Sequence, residues 1–412
     1  MTTSPIPAHL FATPFEGDYP PLARFLTEQC FVKLVKVSNQ LADRLHQARL
    51  PLQATGDNPG PIPFSGWRPE IGAAALGASR HIDQDTWSWF SGQLLLAAFM
   101  KGGLPALAGT FHGPYPLTVA GHTLLGGPYR VEAQGTTLNV SNLRTQQTLH
   151  FRCRDGGKGV SLWVADGQIP LKVGSKAFAL QTTDAWMDFW FPNAERGEVT
   201  KDPNIPTRFE QSMSVIEECS PRYYQWISLP LREVVPIGLC LKGTHSQSFA
   251  AWPGQVHVPV TTPLNLLVSL VHECSHQYYH MLQWHTRLVR PSAPEAYSAL
   301  KKVRRPLEKL LKGFHAFGNV MLALQGLESI QERFASAYVP SAQDPAMDRE
   351  LQVIYRASYP EVVKANLELI AGLDKELQAH HQSHFEAAGT ALYLALRARL
   401  LNAGLLPSGG AG

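Results

Sequence analysis

The pattern of apolar and polar positions changes twice along the chain. Through residues 21–107 apolar residues recur at helical spacing. The clearest case is "DTWSWFSGQLLLAAFMKGG", where Asp85 is placed to cap a helix and Gly102 and Gly103 to stop it. From about 108 to 192 the period shortens. "LTVAGHTLL", "YRVEA", "TTLNV", "TLHFRCR", "VSLWVA", "IPLKV" and "AFALQ" are short β-type runs, punctuated by glycines at 126, 127, 135, 156, 157, 167 and 174. They predict a small antiparallel sheet or barrel-like module. Polar, proline-bearing "FPNAERGEVTKDPNIP" (191–206) reads as a linker. Residues 207–260 mix a helix with strands "IGLCLK" and "QVHVPV"; His257, alternating with Val256 and Val258, is expected to face away from the core. From 261 to about 404 nearly everything reads as long helix. The fold expected is α+β, in three parts: a mostly helical region at 1–107, a β-rich module at 108–192 and a mainly helical region at 207–404.

One of the C-terminal helices carries chemistry. Residues 271–276 read "VHECSH", which contains His272-Glu273-Cys274-Ser275-His276, an H-E-x-x-H. Thr262 is a plausible N-cap and Pro263 a first helical residue, while Leu264, Leu267, Val268 and Val271 supply an apolar face. On such a helix His272 and His276 differ by only about 40° around the axis, so both imidazoles reach one ion with Glu273 beside them. The motif fixes only three of five positions, and its third ligand decides the chemistry. An extended metzincin pattern needs a glycine at 279 and a histidine at 282; the chain has Tyr279 and Leu282. A gluzincin-type zinc peptidase takes a glutamate from a following helix, for which Glu295, Glu308 and Glu328 are available, and uses Glu273 as general base. The other candidate is His315, on a helix opened by Pro306, amid Leu311, Phe314 and Phe317. A histidine on such a face also matches a satisfied core residue.

Composition narrows the field without choosing. The 412 residues are 44% hydrophobic, 17% charged and 9% aromatic with a formal net charge of +3, which fits a soluble globular protein. Lys and Arg are scattered, so nucleic acid is not an expected partner. No apolar run reaches the length of a membrane span, and the N-terminus lacks the basic and apolar regions of a secretory signal. Five widely separated cysteines (Cys30, Cys153, Cys219, Cys240, Cys274) suggest reduced thiols in a cytoplasmic protein.

The string "SQSFAAWPGQVHVPV…LVHECSH…YSALKKVRRPLEKLLKGFHAF" resembles the H-E-x-x-H peptide-modification proteins of bacterial ribosomal-peptide natural product clusters. The elements that carry the likeness are Ser246 and Ser248, Pro253-Gly254, Tyr297-Ser298, Arg305-Pro306, and His315 with Phe317, in that order around the motif. It covers roughly residues 207–340. The resemblance implies Fe(II), 2-oxoglutarate and O₂ rather than zinc, and hydroxylation at the β-carbon of side chains in a precursor peptide. His272, His276 and His315 would hold the metal, a departure from the usual two histidines and a carboxylate. Glu273 would order groups around the metal. Arg305, with Arg304 in reserve, would fork onto the distal carboxylate of 2-oxoglutarate, and Ser246 and Ser248 would line the pocket. The β-rich module would help bind the precursor peptide.

Other constellations are weaker. His380 and His384 are four apart but sit among polar neighbours, as on a solvated helix face. His245 lies just upstream of the family-like segment. Cys274 is off the His272/His276 face and reads as packing. No Ser-His-Asp arrangement or phosphate-binding glycine loop is present.

Overall fold

The computed structural model describes residues 6–50, 52, 66–79, 83–155, 161–168, 170–173, 176–181, 185–193, 197–238, 246–260, 263–326 and 359–407. Among them are ten α-helices and thirteen strands, a mixed α+β fold. The chain forms two compact units, each assembled from segments distant in sequence. One gathers Met1–Tyr19, Gln211–Ile227 and Val260–Gly412; the other gathers Pro20–Glu210 and Ser228–Pro259.

The second of these bears the sheets. It contains α1 (Tyr19–Arg44, from Pro20 onward), α2 (Pro69–Ala78) and α3 (Gln84–Met100). The cap of α3 is Asp83, not Asp85: the Asp83 carboxylate accepts the Thr86 N–H at 2.8 Å. Asp85 instead lies in the first turn, where a negative charge suits the helix dipole. The β-type runs fall into β1 (Ala106–Phe111), β2 (Leu117–Val119), β3 (His122–Leu124), β4 (Tyr129–Gln134), β5 (Thr137–Asn142), β6 (Thr148–Asp155), β7 (Ser161–Ala165), β8 (Pro170–Val173) and β9 (Lys176–Leu180). An antiparallel sheet runs β1-β4-β5-β6-β7, and β2 and β3 form a separate hairpin. In β4, Tyr129, Val131 and Ala133 are buried while Arg130, Glu132 and Gln134 are exposed. Val131 pairs with Val140 and Ala133 with Leu138, so a slip of one residue would turn this apolar set to water.

After α4 (Ala185–Trp190), the strands β10 (Glu233–Pro236) and β11 (Gln255–Val258) complete a second sheet, ordered β11-β10-β9-β8. β10 runs parallel to both neighbours, and every residue of β10 and β11 is buried, as covered parallel strands require. The alternation around His257 is therefore misleading. Its ring is 1% exposed and meets the edges of Trp186 and Phe249, with Nε2 3.1 Å from Gln255 Oε1. Beside it Trp186 stacks on Trp252 at 4.0 Å. A polar cluster lies in the same core. Glu70 accepts the Ala120 N–H and pairs with Arg68 at 3.2 Å, while Glu233 accepts from Gln255 Nε2 at 2.8 Å.

The other unit comprises a 3-10 turn (Ala8–Phe11), the end of α5 (Ile205–Cys219), most of α6 (Pro221–Ser228), α7 (Pro263–Gln283), a hairpin of β12 (Glu295–Ser298) and β13 (Val303–Pro306), α8 (Leu307–Gln325), α9 (Tyr359–His384) and α10 (Ala387–Asn402). The hairpin interrupts what reads in the sequence as helix, and α8 starts at Leu307 with Pro306 as its cap residue. Aromatic rings fill the core: Trp226 stacks on Tyr278 at 3.8 Å, with Phe11 and Tyr19 edge-on to Tyr278. Asn319 on α8 ties three segments together. Its Nδ2 donates to the Ala12 carbonyl at 2.9 Å, and its Oδ1 accepts the Tyr223 hydroxyl at 3.0 Å. Among the described residues Cys30, Cys153, Cys219 and Cys274 are free thiols, and no helix is long and apolar enough to cross a membrane.

Candidate metal centre

All the residues of the motif lie in one unit, on α7. Helix formation begins at Pro263; the expected cap Thr262 lies outside the described residues. The buried surface of α7 is broader than a stripe. Leu266, Leu267, Leu270, Val271, Cys274, Tyr278 and Met281 are buried, and so are Ser275 and Gln277, whereas Leu264 and Val268, expected on the apolar face, are only half-buried. Cys274 packs as expected, its thiol donating weakly to the Ile227 carbonyl.

His272 and His276 come together as the four-residue spacing requires, with ring centroids 4.5 Å apart and planes at 76°. The row continues: His280, one turn further, has its ring 6.3 Å from that of His276. Glu273 is 2% exposed beside the pair. Burial pushes His276 and His280 well below the ordinary imidazole range, with the Lys312 ammonium adding to both. Burial lowers His272 too, against the opposing charge of Glu273. At neutral pH these imidazoles are therefore uncharged, the form in which histidine binds metal.

Opposite this row α8 presents Glu308, Lys312 and His315. Lys312 Nζ is 3.2 Å from His280 Nε2; the ammonium donates and the neutral ring accepts. The other ring nitrogen, Nδ1–H, donates to Gln283 Oε1 at 2.9 Å, and Gln283 Nε2 donates to Glu308 Oε1 at 2.8 Å. Lys312 is lowered to about 8, mainly by burial, with Glu273 the strongest influence holding it up. His315 is fully buried. Its Nε2 donates to the Phe11 carbonyl at 2.6 Å, while Trp226 and Tyr279 flank the ring. Burial depresses it to about 4, against the carbonyls of Phe11 and Ser275.

The remaining expected site residues are scattered. Arg305, on β13, is half-buried and acts electrostatically on Lys312. Arg304 is exposed, its guanidinium bonded to the Glu295 carbonyl. Glu295 is exposed on β12, Glu308 is held by Gln283, and Glu328 lies outside the described residues. Ser246 and Ser248 are half-buried and belong to the sheet-bearing unit; His245 lies outside the described residues. His380 and His384 form a half-exposed pair on α9 with rings 5.7 Å apart.

A divalent ion fits the donors that α7 presents. Both imidazoles are neutral, and the Nδ1 atoms of His276 and of His315 are buried without a hydrogen-bond partner. Among the described residues no three His, Cys, Asp or Glu side chains converge as a finished cage. Sequence reasoning missed His280, Lys312 and Gln283. His280 carried a usable signal, since it repeats the four-residue step from His276; a lysine at the sixth position of an amphipathic helix carried none. No family model matches the chain, and no curated protein matches it in sequence.

Proposed function

We propose that this chain is an Fe(II)/2-oxoglutarate-dependent oxygenase that hydroxylates the β-carbon of side chains in a ribosomally made precursor peptide, in the cytoplasm. The observation that carries the reading is the pair of half-buried imidazoles His272 and His276, rings 4.5 Å apart and shifted toward the neutral form by burial, with Glu273 beside them. The family-like order of short motifs from Ser246 to Phe317 supports it and supplies the reaction class. His272, His276 and His315 would hold the metal, His315 through Nδ1 because Nε2 is committed to Phe11. Bound iron, with the 2-oxo acid and O₂, supplies the oxidising power for C–H hydroxylation. In the balanced reaction a peptide C–H, 2-oxoglutarate and O₂ give C–OH, succinate and CO₂.

The chain's own residues then have defined tasks. The apolar walls of α7 and α8, including Phe317 edge-on to His272 at 4.6 Å, exclude water from the reacting bond. Glu273 orders groups around the metal rather than acting as a base. The co-substrate's distal carboxylate takes a cation from the β13–α8 segment, for which the family-like order of motifs puts forward Arg305, and the β-rich module is a surface for the peptide.

The test uses protein purified without air, loaded with Fe(II) and given the cognate peptide. Succinate should appear only with 2-oxoglutarate, in equal amount to peptide heavier by one oxygen atom. Zinc-dependent cleavage of the peptide that ignores 2-oxoglutarate would establish the peptidase alternative, with Glu273 as general base.

A further inference from the structure

The geometry points to Lys312, oriented by His280, as the cation that receives the distal carboxylate of the 2-oxo acid and so selects a dicarboxylate over a monocarboxylate. This rests on the oxygenase reading. Lys312 lies on α8 facing the histidine row of α7, and its charge bears on both His272 and His276. Its only hydrogen bond among the described residues is to a neutral acceptor, His280 Nε2, at 3.2 Å. Two of its three N–H donors remain, and no carboxylate among the described residues lies within ion-pair distance. Lys312 is half-buried, so its ammonium is only partly solvated and an incoming anion gains two directed donors there.

Three further features favour this ligand. His280 is fixed through Nδ1 by Gln283, and Gln283 by Glu308, so the acceptor that aims Lys312 is itself oriented. The step from His276 to His280 is one helical turn, about 6 Å along the axis, a gap that a five-carbon dicarboxylate bridges. Finally, a cation held by His272 and His276 and the ammonium of Lys312 would repel one another across the gap between α7 and α8. A dianion with one carboxylate at each end relieves both charges; a neutral peptide carbonyl relieves neither. Arg305, equally half-buried, lies on the hairpin strand β13 rather than on α8.

The experiment measures binding rather than turnover. Full-length wild type, K312M, K312R and R305A, each loaded with Mn(II) without air, are titrated calorimetrically with 2-oxoglutarate and with 2-oxobutyrate, which lacks the distal carboxylate. K312M should weaken 2-oxoglutarate by roughly 10- to 100-fold, the range for a charge-assisted contact, and leave 2-oxobutyrate unchanged. K312R should recover part of the loss. Unaltered 2-oxobutyrate binding also shows that the variant is folded. The inference fails if K312M binds 2-oxoglutarate like wild type, if it loses both acids equally, or if R305A alone loses the selectivity. If wild type binds neither acid, the oxygenase reading falls and takes this one with it.

Discussion

Replacing Glu233 by glutamine tests whether the sheet-bearing unit folds around an uncharged carboxyl. Glu233 is 3% exposed on β10. Burial, reinforced by the neighbouring Glu70 carboxylate, raises it to about 8, against Gln255, Arg68 and Gln181, which favour the charged form. Its ordinary value is 4.5. The folded state therefore holds its proton through a range where the unfolded chain has released it. Stability from this group is complete below the unfolded value and is lost as pH climbs from about 4.5 to about 8. The whole displacement corresponds to about 5 kcal/mol, and the part between pH 5 and pH 9 to about 4 kcal/mol. Glutamine keeps the carbonyl that Gln255 bonds and cannot ionise. Urea unfolding followed by fluorescence reports on this unit, because Trp67, Trp89, Trp186 and Trp252 are buried in it. Wild type should lose stability relative to E233Q by about 4 kcal/mol from pH 5 to pH 9. A difference that stays constant across that range would refute the argument, since it would mean the carboxylate is already charged and solvated in the folded state.

Three further outcomes follow from particular contacts. Asn319→Leu keeps the branched shape but strands the Ala12 carbonyl and the Tyr223 hydroxyl, and should cost about 2–4 kcal/mol in urea unfolding; a cost near zero would mean water reaches both groups. At Gly72 an added Cβ would stand 2.0 Å from the Ala251 carbonyl oxygen, so Gly72→Ala should destabilise by more than about 4 kcal/mol, visible as lost soluble yield or a much lower melting temperature. Glu273→Gln should leave some succinate formation when assayed with 2-oxoglutarate and peptide, because O₂ chemistry needs no carboxylate base; complete loss with metal still bound would favour the peptidase.

How much of this was legible in the sequence depended on whether a feature is set locally. The glycine-punctuated runs of 108–192 carry their period and turns with them, and the strands lie there. Helix α7 announces itself through Pro263 and the four-residue step of its histidines. His257 was misread because alternation signals one covered face, whereas β11 is covered on both. The hairpin β12–β13 escaped because each strand has only four residues and pairs only with the other. The units themselves are joined from distant segments, which no local pattern records. Lys312 is the sharpest case. A lysine on an amphipathic helix is normally assigned to water, and only the position of His280 on the neighbouring helix turns it inward.

His315 shows why a structural role and a ligand role need not compete. With Nε2–H given to the Phe11 carbonyl, the neutral ring carries its lone pair on Nδ1. Metal-binding histidines commonly donate their second nitrogen to a backbone carbonyl in just this way, which fixes both tautomer and ring orientation. Asn319, one turn along α8, holds the next carbonyl, that of Ala12. The N-terminal segment is thus clamped at two successive residues by one face of α8. Through Phe11 it sets the proton position on a candidate ligand more than 300 residues away in sequence. If His315 is a ligand of the proposed metal, the short 3-10 turn at Ala8–Phe11 is its outer support, and removing that turn should weaken Mn(II) binding measured by calorimetry even though it contributes no ligand; unchanged affinity would take His315 out of the ligand set.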